Sequence, residues 1–282
     1  MATGVNSNSS KSHSAGLATS GMGRYVYDDF RGLFIARATA TPMGDPTGTA
    51  GDVNTLFSGR GHQFQYHVLG TQTILAPKRV AGGLDITQDL TNNDGVEYTL
   101  GCEDPANTVI SALSRGTFTV GTDKPFGFSL KLLITDVSGT DDCAIGFRKS
   151  EAYQANVDDY DEAAAVNIIS GDIKIETILN NAATTTTDTT LDWADAATKT
   201  ISVYCDSDGS LWGTPRAVYY EIDGAKPTAV PTTQFRFDSG EVVIPFFYFL
   251  NDTDVAESTV LVEWESGLVE DMKTLSQRAS QA

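Results

Sequence analysis

A chain of 282 residues with 40% hydrophobic and 20% charged side chains can bury the core of one or two domains, which excludes a disordered polymer. Its formal charge of -18 is unevenly placed: residues 1–80 hold 7 Lys and Arg against 4 Asp and Glu, and residues 81–282 hold 12 against 33. So acidic a body is repelled by nucleic-acid phosphate and by anionic lipid, so neither nucleic acid nor membrane is expected as a partner.

Residues 1–24 are mostly Ser, Gly, Ala, Asn and Thr, a composition that buries too little apolar area to fold alone and reads as a flexible arm. They lack the apolar core of a secretory leader, so synthesis in a cytoplasm is expected. Residues 25–82 mix short apolar pieces with Gly and Pro and read as an extended segment that packs on a neighbour.

From residue 83 the signal changes to strict alternation. Phe126, Phe128, Leu130, Leu132 and Ile134 share one face of a strand, and the same period returns around Tyr98, Ile173, Val203, Tyr220 and Val262. Turn-forming stretches separate these pieces, among them "NNDG", "NNAATTTTDTT", "DSDGS" and "IDGAKP". Many short alternating strands without intervening helices imply an all-β antiparallel β-sandwich over residues 83–267.

The apolar run "VVIPFFYFL" (242–250) is far shorter than the ~20 residues a membrane helix needs. Read as a central strand apolar on both faces, it leaves Val243, Phe247 and Phe249 on an outer face that a neighbouring subunit covers, with a bulge or break at Pro245. The helical candidates are "DYDEAAAV" (159–166) and a short C-terminal helix or tail over 268–282.

Chemistry is sparse. Cys102, Cys143 and Cys205 are far apart and read as plain thiols. Of His13, His62 and His67, the last two would face opposite sides of one strand, which disfavours a Ser-His-Asp or Cys-His arrangement. Glu221-Ile222-Asp223-Gly224 lacks a second glutamate after it, and Asp223-Gly224 reads as a hairpin turn. The clusters at 92–95, 158–163 and 206–210 offer calcium-type oxygens without a complete calcium-loop spacing. No phosphate-binding glycine loop opens a helix, so neither a cofactor, a metal site nor a catalytic residue is expected.

The stretch 199–250, with its Asp-x-Asp-Gly, Ile-Asp-Gly and Pro-Phe-Phe strands, resembles the back half of concanavalin A-like (laminin G-like) jelly rolls. Together with "YVYDDFRGL" (25–33), the segment 142–166, the Thr-rich stretch 184–190 and the segment 242–268, it looks like capsid decoration (cement) proteins of tailed bacteriophages. That resemblance implies a non-enzymatic virion protein on the capsid exterior, made in a bacterial host, bound to the major capsid protein and forming a homo-oligomer, most simply a trimer. The basic residues Lys11, Arg24, Arg31, Arg37, Arg60, Lys78 and Arg79 are then the expected contacts to capsid or subunit. The alternative is a carbohydrate-binding module of a fibre or surface protein whose partner is a host-surface glycan, with Tyr153, Tyr160, Trp193 and Trp212 as stacking candidates.

Overall fold

The computed structural model describes residues 25–30, 35–38, 53–58, 60, 62–70, 78–86, 92–100, 116–252 and 259–272. In chain order the strands are β1 (Val26–Asp28), β2 (Ile35–Ala38), β3 (Val53–Phe57), β4 (Gln63–Leu69), β5 (Lys78–Val80) and β6 (Gly83–Asp85). Next come β7 (Gly95–Leu100), β8 (Phe118–Thr119), β9 (Phe126–Ile134), β10 (Thr140–Lys149), β11 (Ala163–Ile169) and β12 (Asp172–Ile178). The last are β13 (Thr185–Asp192), β14 (Ala197–Asp206), β15 (Ala217–Ile222), β16 (Val242–Asn251) and β17 (Thr259–Leu268).

These strands form two antiparallel sheets, as the alternation predicts for residues 83–267; β1 to β5, from the segment 25–82 expected to pack on a neighbour, belong to the chain's own two sheets. One has seven strands in the order β15-β14-β9-β17-β6-β5, with β1 also on β17. The other has ten, in the order β13-β12-β11-β10-β16-β7-β4-β3-β2, with β8 also on β16. The stripe Phe126, Phe128, Leu130, Leu132 and Ile134 lies wholly inside, facing Ile145, Phe147, Val166 and Ile175 of the other sheet. Each such side chain contributes about 1.5–3 kcal/mol through burial. Trp264 on β17 joins the layers, its ring 4.3 Å from Phe128 of its own sheet and 5.3 Å from Phe64 of the other.

Three local expectations are corrected. Residues 163–166 are strand β11 and not a helix, because pairing with β10 on one side and β12 on the other overrides the helix preference of three alanines. The Thr-rich stretch read as a turn is β13, consistent with the β-branched side chains that favour extended backbone. β16 runs straight through Pro245: β8 pairs at Val242 and Val243, β7 pairs from Phe246 onward, and Pro245 sits in the gap between them while β10 continues on the other side. Its missing donor therefore breaks no ladder bond on the gap side.

The faces of β16 are also reversed from the sequence reading. Val243, Phe247 and Phe249 are 0%, 0% and 3% exposed and point into the core between the sheets. The outward residues Phe246, Tyr248 and Leu250 are covered by the chain's own segment 150–162, through Val157 and Tyr160. The C-terminal described turn, Val269–Asp271, is a single 3-10 turn.

Candidate functional site

On the outer face of the seven-stranded sheet, β14 ends in Asp206 and a loop over 207–216 returns to β15. The Asp206 carboxylate is fully buried, and it accepts the backbone N–H groups of Leu211 at 3.0 Å and Trp212 at 2.7 Å. Asp208 takes the Ser210 N–H at 2.9 Å, and the hydrogen bonds from Ser210 hold its carboxyl below the usual carboxylate range. Gly209 and Gly213 supply the left-handed backbone at φ +78 and +80, and a side chain on Gly209 would run into Pro215. The loop is therefore a rigid mount, and it presents Trp212 half-buried with Leu211 beside it at 39% exposed.

Trp212 packs 4.3 Å from the Tyr219 ring and 6.1 Å from Tyr204, with Tyr25 and Met272 completing the patch. Strand register puts a polar row alongside: Glu221 opposite Ser202, Ser202 opposite Ser129, Ser129 opposite Glu265. The two serine hydroxyls are 2.9 Å apart, and the Tyr25 hydroxyl donates to Glu265 Oε1 at 2.8 Å. Burial and the Glu265 carboxylate push the Tyr25 phenol well up, so it stays a donor at any physiological pH.

The outer face of the ten-stranded sheet is closed by the strap 150–162. Arg148 and Glu97, both 0% exposed, form an ion pair at 2.6 Å, and Glu97 also accepts the Tyr160 hydroxyl. The Arg148 guanidinium lies 4.4 Å from the Tyr160 ring centre and 5.2 Å from that of Tyr153, and it donates to the Lys149 carbonyl. Tyr248 donates to the Ala155 carbonyl at 2.6 Å, and Thr184 donates to Asp158 at 2.6 Å. The small residues Ala144, Ala163 and Ala165 leave the room that Val157 and Tyr160 fill.

Beside the strap, Asn167 donates to both Asp142 (2.6 Å) and Glu176 (2.7 Å). Sequence reading missed this pair because its carboxylates sit on different strands, β10 and β12. The Asn167 amide fills the space between them, where an incoming glycosidic oxygen would have to sit, so the arrangement does not suit the two-carboxylate hydrolysis of sugars. Burial first, and then the charge of Glu176, push the Asp142 carboxyl up to about 7, and burial does the same to Glu162. A carboxyl whose folded value is raised holds its proton more tightly in the native state, so stability falls as pH rises from the unfolded value near 4 through 7. The melting temperature is accordingly expected to be higher at pH 5 than at pH 8, with Asp142→Asn flattening the difference. An equal change of melting temperature between pH 5 and pH 8 for the variant and the wild type would refute it.

Neither a protein-family profile nor a curated protein matches the chain. Similar solved structures share only a distant likeness. They include the Emp47p carbohydrate recognition domain, at 15% identity over 72% of this chain and 88% of that one, TM-score 0.46. A Trypanosoma rangeli sialidase matches at 10% identity over 83% of this chain and 30% of that one, TM-score 0.43. A glycosyl hydrolase family protein from Mycobacterium fortuitum matches at 10% identity over 86% and 98%, TM-score 0.42. Likenesses this distant assign no ligand and no reaction.

Of the four stacking candidates, Tyr160 and Trp193 are core residues, Tyr153 is half-buried and stacked 4.7 Å from His67, and Trp212 alone belongs to the aromatic patch. Tyr219, Tyr25 and Tyr204, which complete that patch, alternate like ordinary strand residues and carry no local signal of their own. Asp223 and Gly224 form the expected hairpin turn at φ 51 and 79, and Asp223 Oδ1 accepts the Thr200 N–H. The His62 ring bonds the Tyr27 carbonyl at 3.1 Å, and Ser58 Oγ accepts the His62 backbone N–H. Cys143 and Cys205 are buried free thiols that burial pushes up, which keeps them protonated and inert. Among the described residues no group of three His, Cys, Asp or Glu could hold a metal ion.

Among the basic residues, Arg60 is ion-paired to Asp29 at 2.6 Å and lies over the Tyr27 ring. Arg37 falls on β2, and Lys78 and Arg79 on β5. Lys11, His13, Arg24, Arg31 and Cys102 lie outside the described residues.

Proposed function

We propose that the protein is a non-enzymatic binding module that docks a glycan on the Trp212–Tyr219 platform. The observation that carries this reading is the mounting of Trp212: a buried carboxylate fixes its backbone N–H while the ring stays half-exposed against Tyr219. A rigid aromatic surface of this kind offers apolar contact at little entropic cost. The carboxylates of Glu265, which holds the Tyr25 hydroxyl, and of Asp271 lie by the Tyr25 side of the patch and repel acidic groups, which favours neutral sugars over sialylated or sulfated ones.

Glycan-array binding is expected to reveal neutral glycans, and Trp212→Ala is expected to weaken them by about tenfold or more, the loss of about 1.4 kcal/mol. Tyr153→Ala, on the opposite sheet, should leave binding unchanged. An array with no neutral glycan retained by the wild type sinks the reading. A virion setting is supported by the sequence resemblance and by the division between a basic first quarter and an acidic body. It is tested by co-sedimentation with undecorated capsids, where raised salt should release the protein.

A further inference from the structure

Every sheet edge is a row of backbone groups able to pair with another strand, and proteins ordinarily blunt it by shortness, by charged side chains or proline, by a bulge, or by a cover. Three of the four edges formed by the described residues are short or covered. The free side of β15 is covered by residues 234–237, through the Ala217–Arg236 bridge and the bond from the Val218 N–H to the Phe235 carbonyl at 3.1 Å. β5 has only 3 residues, two of them basic, and β2 has 4.

The fourth edge, β13, is neither: what blunts it is Asp188 and a bulge between Asp188 and Leu191, and its first four residues stay regular. It is 8 residues long, "TTTDTTLD", with no Lys, Arg or Pro, and all of it but Thr187 and Thr189 is exposed. Its one irregularity is confined to its C-terminal half, where Thr189 turns inward to bond the Ile173 carbonyl and Thr190 takes φ 63. The flat part is 185–188. Of the three exposed large hydrophobics among the described residues, two are on this hairpin: Leu179 at 36% just before its turn and Leu191 at 38% on β13 itself.

We propose that β13 pairs antiparallel with β13 of a second copy of this chain, joining the two ten-stranded sheets into one across a two-fold axis at Thr186. A second copy fits because the flat part is self-complementary. Thr186 meets Thr186, Thr185 meets Thr187, and Asp188 meets Thr184, so β-branched pairs stack and no two carboxylates are directly opposed. The same register turns Leu191 of each copy toward the turn that carries Leu179 of the other. Repulsion between two chains of -18 is long-range and is screened at physiological salt, where the Debye length is about 8 Å.

The test places charges on the axis. Full-length wild type at micromolar concentration and physiological salt is expected to run as a dimer by mass-resolved chromatography. Thr186→Lys and Thr186→Glu each set like charges face to face and should raise the dissociation constant about tenfold or more. An equimolar mixture of the two variants should recover the dimer as a heterodimer. Circular dichroism of each variant checks that the exposed substitution leaves the sandwich folded. A monomeric wild type overturns the proposal, whichever other strand the edge takes, and so does a Thr186→Lys protein that dimerises as tightly as the wild type or a mixture that stays monomeric.

Discussion

Replacing Arg148 with methionine is expected to destabilise the protein by about 3–5 kcal/mol, since it leaves the Glu97 carboxylate without its partner in a fully buried site. The change also removes the cation between the Tyr153 and Tyr160 rings and the donor to the Lys149 carbonyl, so the strap loses its central peg. Urea unfolding gives the size, and hydrogen exchange of residues 150–162 gives the place. Adding Glu97→Gln to Arg148→Met removes the stranded charge and should recover part of the loss. A single-variant cost under about 1 kcal/mol, the scale of an exposed ion pair, would mean that water reaches the pair and that the strap is open in solution.

Trp264→Ala is the second large effect, at about 3–5 kcal/mol. The indole is fully buried, packs on Phe128 and Phe64 from opposite layers, and donates to Ser266 Oγ at 3.2 Å. No single neighbour can collapse into the space of a ring held between two sheets. Trp264→Phe should therefore recover much of the stability, and thermal melts of the two variants give the comparison. Equal melting temperatures for Ala and wild type would show that the two sheets do not depend on this contact.

The sandwich is legible from the sequence because alternation is a local signal: Phe126 to Ile134 declares its inner face without reference to any partner. The inner face of β16 was not legible. With apolar residues at both parities, nothing local says whether Val243 or Ile244 faces inward, and the decision belongs to the strap that covers one side. β11 failed for a related reason, since three alanines favour a helix until two neighbouring strands claim their backbone. β13 was lost among turn signals because an exposed edge of threonines has no apolar parity to display. In the candidate site, Trp212 was visible as an aromatic in a loop, but its mounting was not: Asp206 looks like a turn residue or a calcium ligand until its carboxylate is seen filled by backbone N–H groups. The Asp142–Asn167–Glu176 set needed three strands in register before its members met.

The placement of the tryptophans gives the molecule an intrinsic optical probe. The sequence holds 3 tryptophans, of which Trp193 and Trp264 are sealed in the interior and Trp212 stands half in water. A neutral collisional quencher therefore reaches the loop residue and leaves the emission of the interior pair largely unquenched. Occupancy of the platform is readable as protection from quenching, in unlabelled protein and without any engineered chromophore.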